Sequence, residues 1–164
     1  MVSREQLWKW LQDVTDPEVP VLTIGDLGIV RDVTIAGDAA APKVTVVITP
    51  TYSGCPAMDL ISMQIRMMLI SRGIRDIEIR QQLSPAWTTD WMSEEGKRKL
   101  KEYGIAPPVR RSGTSLQPFE EDRAPCPRCD SEDTTLTSQF GPTSCKALYR
   151  CNSCKEPFEH FKCH

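Results

Sequence analysis

The stretch KVTVVITPTYSGCPAMDLISMQIRMMLISRG, residues 43–73, decides the fold of the first half of this chain. In its first seven residues, Val44, Val46 and Ile48 alternate with a second set of side chains, which predicts a β-strand. Pro56 suits the first position of a helix, where no backbone N–H is needed. Apolar residues then recur at helical spacing and predict a buried stripe. The predicted stripe is Ala57, Leu60, Ile61, Ile65, Met68 and Leu69.

The segments on either side of this stretch complete a small domain. Ser3, with Gln6 three residues later, predicts the start of a first helix. Asp16-Pro17 ends it, because a residue before proline avoids the α region. Segments 29–35 and 43–49 predict an antiparallel pair of strands, with Arg31 breaking the apolar alternation. Ile77 and Ile79 mark a third strand, and Gly73 predicts the end of the second helix. The order α-β-β-α-β predicts a two-layer α+β domain over residues 1–84.

Residues 85–118 read as a helical extension and linker. Ser93 can cap a short helix that Gly104 ends. The apolar side chains of this segment could pack onto the sheet or onto a partner; they are Trp87, Trp91, Met92 and Leu100. Pro107–Pro118 is rich in proline, glycine, serine and arginine, which is typical of a linker.

The totals limit the classes of partner. The 164 residues carry a net charge of −2, so we expect no general attraction to nucleic acid or to acidic membranes. No run approaches the roughly 18 apolar residues that span a bilayer. Residues 1–10 lack the apolar core of a signal peptide. We therefore expect a cytoplasmic protein that binds neither membrane nor nucleic acid.

The last part of the chain, residues 119–164, is rich in cysteine. Six of the seven cysteines follow residue 125, and two C-x-x-C pairs are separated by 21 residues. Two such turns can present four thiolates at the corners of a tetrahedron, which predicts a zinc ribbon. Iron can bind the same ligands. The predicted ligands are Cys126, Cys129, Cys151 and Cys154.

Two further cysteines in this region have two interpretations. Cys145 and Cys163 are either buried free thiols or ligands of a second centre, together with His160 or His164. The sequence leaves both interpretations open.

Cys55 stands alone, just before the second predicted helix. The helix N-terminus would stabilise a thiolate there, which could act as a nucleophile or as a soft metal ligand. The alternative is a helix-entry cysteine with no chemical role. No histidine precedes residue 160, so a Cys–His catalytic pair within the first domain is excluded. Nearby carboxylates would raise the pKa of the thiol; the candidates are Asp16, Glu18, Asp26 and Asp59.

Three motifs of the first domain resemble the iron–sulfur assembly domain family that includes SufT-like proteins. They are Asp16-Pro17-Glu18, Ile24-Gly25-Asp26-Leu27-Gly28, and the segment from Thr49-Pro50-Thr51 through Gly54-Cys55-Pro56. The resemblance covers residues 3–84. It implies that Cys55 is the functional cysteine and Asp26 a nearby acidic position of a cofactor site.

The cysteine-rich part narrows the resemblance to PaaD-type proteins of phenylacetate degradation. The matching segments are 126–129, 145–151, 156–158 and 161–163. This resemblance implies a non-catalytic accessory factor for the phenylacetyl-CoA epoxidase, a diiron monooxygenase, with its oxygenase and reductase subunits as partners. It implies zinc and a transient iron–sulfur cluster or iron as cofactors, and leaves a homodimer open. A structural adaptor subunit without metal transfer is the alternative. The chain itself lacks the pair of helical E-x-x-H motifs of ferritin-like diiron proteins.

Overall fold

The computed structural model describes residues 2–38, 41–109 and 124–162. The chain divides into two compact units, Met1–Gly96 and Lys97–His164. The helices are α1 (Arg4–Leu11), α2 (Ala57–Ser71) and α3 (Glu94–Tyr103). The strands are β1 (Val30–Ala36), β2 (Lys43–Ile48), β3 (Asp76–Gln81), β4 (Ile105–Ala106), β5 (Thr134–Ser138), β6 (Lys146–Cys151) and β7 (Pro157–Phe161). The unit division falls inside α3.

The first unit is a two-layer α+β fold. Its sheet has the order β1-β2-β3, with β1 antiparallel and β3 parallel to β2. A parallel pair needs a crossover, and α2 supplies it. Helices α1 and α2 contact β1 and β3, respectively. The predicted order α-β-β-α-β and the α+β class are confirmed.

A β-bulge explains the broken alternation of the first strand. The register with β2 shifts between Val30 and Asp32, which leaves Arg31 as the extra residue. Val30 and Val33 are therefore both buried, although three positions separate them.

Helix α2 ends as predicted, but its buried stripe differs from the prediction. Gly73 has a φ of +88°, the left-handed conformation that terminates many helices. Leu60, predicted to be buried, is 39% exposed, so this part of the prediction is wrong. Met58 is buried instead, because the stripe that faces the sheet is rotated toward it. The buried residues are Ala57, Met58, Ile61, Ile65 and Leu69.

The start of the extension is part of the first unit. The indole N–H of Trp87 donates a hydrogen bond to the carbonyl oxygen of Leu27, at 2.7 Å. Gly28 has a φ of +68°, and a Cβ at this position would lie 2.3 Å from the backbone oxygen of Trp91. The Ile24–Gly28 loop therefore contacts both Trp87 and Trp91. Only glycine fits at position 28, where the backbone of Trp91 approaches closely.

The second unit has a four-stranded sheet with the order β4-β7-β6-β5. Strand β4 runs parallel to β7, whereas the other neighbours are antiparallel. The rings of Tyr149 and Phe158 stack with centroids 5.8 Å apart. Its core cluster is Ala106, Ala124, Cys126, Ala147, Tyr149, Cys151 and Phe158.

Strand β4 lies within the segment predicted as extension and linker. Most of the predicted linker Pro107–Pro118 lies outside the described residues, which resume at Ala124. Over the described part of the chain, we find no helix long and apolar enough to cross a membrane.

Candidate metal centre and the Cys55 cavity

The four cysteines of the two C-x-x-C pairs converge on one point of the second unit. The sulfur atoms of Cys126 and Cys154 are 3.7 Å apart, and those of Cys129 and Cys151 are 3.6 Å apart. All four sulfur atoms lie within 4.8 Å of one another. The sequence prediction that these residues share one site therefore agrees with the geometry.

Both turns use the same backbone design. The N–H of Cys126 donates to the carbonyl oxygen of Ser131, and the N–H of Cys151 donates to that of Glu156, each at 3.0 Å. Four residues after each first cysteine, the backbone turns through a positive φ, 58° at the first site and 68° at the second. These residues are Asp130 and Lys155. The side chains of Ser131 and Ser153 then join the two turns, with their hydroxyl oxygens 2.7 Å apart.

The sulfur positions fit a tetrahedral metal ion. Metal–sulfur bonds of about 2.3 Å place the corners of a tetrahedron about 3.8 Å apart, close to the two measured distances. Cys126 and Cys151 are buried, whereas Cys129 and Cys154 are exposed. The donor set is complete within the chain, which is typical of a structural site and leaves no position for a substrate.

The thiols of the cluster differ in acidity. Backbone N–H donation, mainly from Cys154, lowers the pKa of Cys151 to about 6. The N–H of Ser131 lowers the pKa of Cys129, but local desolvation and the neighbouring thiols outweigh it and raise that pKa to about 12. Binding a metal ion requires all four thiolates and therefore releases protons.

Cys145 lies outside this cluster. Its buried sulfur is 3.1 Å from the hydroxyl oxygen of Thr143, and its carbonyl oxygen accepts from the N–H of Lys162. His160 is buried, with Nδ1 3.2 Å from the carbonyl oxygen of Ala106. Cys163 and His164 lie outside the described residues, so a second centre that includes them stays a prediction.

In the first unit, Cys55 opens on a cavity. The cavity has a volume of about 320 Å³. Cys55 is half-buried, and its carbonyl oxygen accepts the N–H of Met58 at the start of α2. Gly54 has a φ of +78°, and no heavy atom lies within 4 Å of the position of a Cβ there. The lining residues are Pro50, Ser53, Gly54, Cys55, Pro56, Met58, Asp59, Gln81 and Leu83.

The thiol of Cys55 is less acidic than the sequence predicted. Burial raises its pKa, and the charges of Glu18 and Asp16 add to that effect. The backbone N–H of Ala57 and the side chain of Tyr52 lower the pKa, each by less than burial raises it but by more than either carboxylate does. The helix-end N–H therefore acts on the thiol in the predicted direction, but burial outweighs it and the net pKa is raised.

Asp26 does not line this cavity. One carboxylate oxygen accepts the N–H of Thr23, and the other accepts the hydroxyl of Ser93, each at 3.0 Å. Its backbone oxygen accepts the N–H of Ser93 at 2.8 Å. The carboxylate thus joins its own loop to the start of α3. The acidic residues that act on the Cys55 thiol are those of the Asp16-Pro17-Glu18 turn.

Sequence reasoning missed two cavity residues, Gln81 and Leu83. Gln81 pairs with Ile48 in the parallel register of β2 and β3. The carboxyl ends of parallel strands meet at one edge of a sheet. The sequence order of β2, the Cys55 loop, α2 and β3 is that of a parallel crossover. Recognising it would have placed the end of β3 beside the Cys55 loop.

Comparisons with known proteins agree with these two units. Residues 4–80 match the family described as iron–sulfur cluster assembly protein, and residues 111–162 match the PaaD zinc beta ribbon domain. A DUF59 domain of unknown function from Bacillus anthracis has a similar structure, with 29% identity and a TM-score of 0.53. The match covers 59% of this chain and 90% of that one.

Fold and cysteine sites together define a two-module metal-binding protein, in which an assembly-type α+β domain carries a C-terminal zinc ribbon. A "Putative 1,2-phenylacetyl-CoA epoxidase" subunit of Escherichia coli (strain K12) is 49% identical over 158 residues, covering 96% of this chain and 92% of that protein. The chain belongs to the PaaD family. A "Fe-S protein maturation auxiliary factor" of Porphyromonas gingivalis (strain ATCC BAA-308 / W83) is 36% identical over 99 residues, covering 60% of this chain and 90% of that protein.

Proposed function

We propose that this protein is a non-catalytic accessory component of a phenylacetyl-CoA epoxidase system and assists the assembly of a metal centre in one of its partners. The names of two relatives support the two halves of the proposal: one is an epoxidase subunit and the other a maturation factor. The partners would be the oxygenase and reductase subunits of the system.

The observation that carries the proposal is the position of Cys55. Its thiol opens on a cavity of about 320 Å³ within the domain that matches iron–sulfur cluster assembly proteins. The four ribbon cysteines form a complete donor set for one metal ion. By contrast, the cavity beside Cys55 is lined by no second cysteine. An incomplete donor set suits transient holding of iron or of a cluster, because release needs fewer bonds to break.

The chemistry around Cys55 argues against a catalytic nucleophile. Such a cysteine needs a base or a lowered pKa. The first unit contains no histidine, and burial raises the pKa of the thiol. An incoming cation would displace the thiol proton, since positive charge beside the sulfur favours the thiolate. Asp59, at the same cavity, supplies a carboxylate on the first turn of α2.

The ribbon would then have a supporting task. With zinc or iron held by Cys126, Cys129, Cys151 and Cys154, the metal would hold the two turns together and present a fixed surface to a partner. We propose for Asp26, which the family resemblance links to the cofactor site, an indirect role: it holds the Ile24–Gly28 loop in place.

Cluster transfer to a partner tests this proposal. The full chain, Cys55→Ser and the control Ser71→Ala, which changes an exposed serine outside the cavity, are purified without oxygen. Each is then added to the apo-reductase with iron and sulfide, and cluster formation is followed by absorbance. We expect wild type and Ser71→Ala to accelerate loading and Cys55→Ser to lose the acceleration while keeping its ribbon metal. Equal loading with and without wild-type protein contradicts the proposal.

A structural adaptor is the second candidate, because a relative is named as a subunit of the epoxidase. It predicts stable co-purification with the oxygenase subunits and full epoxidase activity with Cys55→Ser. The assembly role predicts that Cys55→Ser lowers the metal content of the partner, even when the complex still forms.

A further inference from the structure

Helix α2 carries a second apolar face that its own domain does not cover. Four large side chains on it are exposed: Leu60 by 39%, Met63 by 49%, Met67 by 62% and Ile70 by 57%. They follow one another at spacings of three, four and three residues. This is the spacing of a seam between two helices, whereas the outward face of a surface helix is normally polar.

Neither the core nor the Cys55 cavity accounts for this stripe, defined as Leu60, Met63, Met67 and Ile70. The sheet-facing side of α2 is a different set of residues, centred on Ile61 and Ile65. The cavity touches α2 only at its first turn, through Met58 and Asp59. Single exposed apolar side chains are common, but a contiguous row of four on one helix marks an interaction surface.

The spacing of the stripe is the same when read from either end, so the stripe is complementary to a copy of itself. Consider two α2 helices that pack antiparallel, with the two-fold axis crossing them at the level of residue 65. Leu60 of one helix would then lie against Ile70 of the other. The same axis would place Met63 against Met67. A two-fold interface requires this kind of self-complementary patch.

The charges at the ends of α2 favour the antiparallel arrangement over a parallel one. Asp59 lies in the first turn and Arg72 caps the last turn. Antiparallel packing brings each acidic end beside the basic end of the other copy and also opposes the helix dipoles. Arg72 already pairs with Asp13 at 2.7 Å, but a third of its side chain is exposed and accessible to a second carboxylate. Parallel packing would instead place the two Asp59 carboxylates side by side.

We propose that the stripe on α2 is the interface of a homodimer in which two copies of this chain pack antiparallel. Four side chains per copy bury less than the roughly 1,600 Å² of a standard interface. The dimer is therefore weak and reversible.

This geometry separates the two Cys55 sites. Cys55 precedes α2 by two residues, at one end of the stripe, and the axis lies ten residues further along. At 1.5 Å per helical residue the two thiols are about 30 Å apart. Two copies joined in this way cannot ligate one cluster through their Cys55 residues, so each site acts alone.

Sedimentation velocity on the full metal-loaded chain, over a range of concentrations, tests for the dimer. We expect wild type to dimerise with rising concentration. Met67→Glu should weaken dimerisation by about tenfold or more, because a buried unpaired charge replaces an apolar contact. Tyr103→Glu, which changes an exposed aromatic residue outside the stripe, is the matched control and should dimerise like wild type. A monomer at all concentrations, or a dimer that Met67→Glu leaves unchanged, overturns the proposal.

Mixing two variants tests the antiparallel register. Met63→Lys and Met67→Glu should each be mainly monomeric, and circular dichroism checks that both are folded. Their mixture should form heterodimers, since position 63 of one copy faces position 67 of the other. Restoration in the mixture supports the register, whereas no restoration overturns it. A monomeric chain that binds an epoxidase component only through Met67 also overturns the dimer, and neither result depends on the role of Cys55.

Discussion

The two units hold their cysteines for opposite physical reasons. In the first unit, a core of aliphatic side chains is complete without Cys55, and the fold positions the thiol. In the second, two residues of the core cluster around Tyr149 are themselves the candidate sulfur ligands, Cys126 and Cys151. A unit with so small a core needs a further constraint, which a metal ion supplies. In the second unit the metal would stabilise the fold. In the first unit the fold is stable by itself and would position the thiol that binds the metal.

The strongest test of this contrast removes one ribbon ligand. Cys129→Ser should release the metal and unfold residues 124–162, because metal binding contributes roughly 10–16 kcal/mol to the folding of small zinc modules. Cys129 is exposed, so lost packing cannot explain the effect. Metal content and hydrogen exchange provide the measurement, and the first unit should keep its protection. Cys145→Ser is the control and should keep its metal.

The converse test damages the core of the first unit. Leu69 is fully buried in α2, and Leu69→Ala should cost about 2–5 kcal/mol of the free energy of unfolding. Urea titration followed by tryptophan fluorescence measures this, because all four tryptophans lie in the first unit. Ribbon metal content should not change. Ser71→Ala, at an exposed position of the same helix and outside the stripe, should shift stability by no more than about 0.5 kcal/mol. Equal losses in both variants would contradict the assigned faces of α2.

A smaller effect distinguishes a structural from a ligand role for Asp26. Asp26→Ala leaves the N–H of Thr23 and the hydroxyl of Ser93 without this acceptor, which should cost about 1–3 kcal/mol. The same urea titration measures the cost, with the exposed Asp90→Ala as control. Iron lost from the first unit with unchanged stability would instead make Asp26 a ligand.

The smallest expected effect concerns the acidity of Cys55. Because burial and, to a smaller extent, nearby carboxylates raise the pKa of this thiol, its alkylation should reach half its maximal rate at a higher pH than that of free cysteine. Glu18→Gln removes one of the charges that raise the pKa, so it should increase the alkylation rate slightly at pH 8. Mass spectrometry of the Cys55 peptide separates this reaction from the ribbon thiols. A half-maximal rate at a lower pH than that of free cysteine would contradict the raised pKa and favour a thiolate stabilised by the helix N-terminus.

Local rules predicted much of this molecule. The alternation of residues 43–49 placed β2, and the C-x-x-C spacing identified the four cysteines that converge. Each of these signals lies within a few residues of the chain. The bulge at Arg31 was visible only as a break in the pattern, because its cause is the register with β2.

The remaining features depend on contacts between distant residues. The exposure of Leu60 depends on how α2 rotates on the sheet, and helical spacing alone allows either choice. The position of Asp26 depends on Ser93, 67 residues away. The sign of the Cys55 pKa shift depends on the balance between desolvation and helix-end donors, which the sequence cannot supply. The cavity itself forms only once β3 lies parallel to β2.

Strand β4 has a practical consequence for anyone who cuts or grafts the ribbon. It is two residues long, yet Ala106 belongs to the ribbon core and its carbonyl oxygen is hydrogen-bonded to His160. A ribbon fragment that begins at residue 119 lacks β4, so one edge of β7 would be unpaired and His160 would lose the Ala106 carbonyl as an acceptor. A ribbon fragment that begins before α3 includes β4 and keeps both contacts. If the backbone were cut between residues 110 and 123, the pairing of β4 with β7 would still join the two pieces.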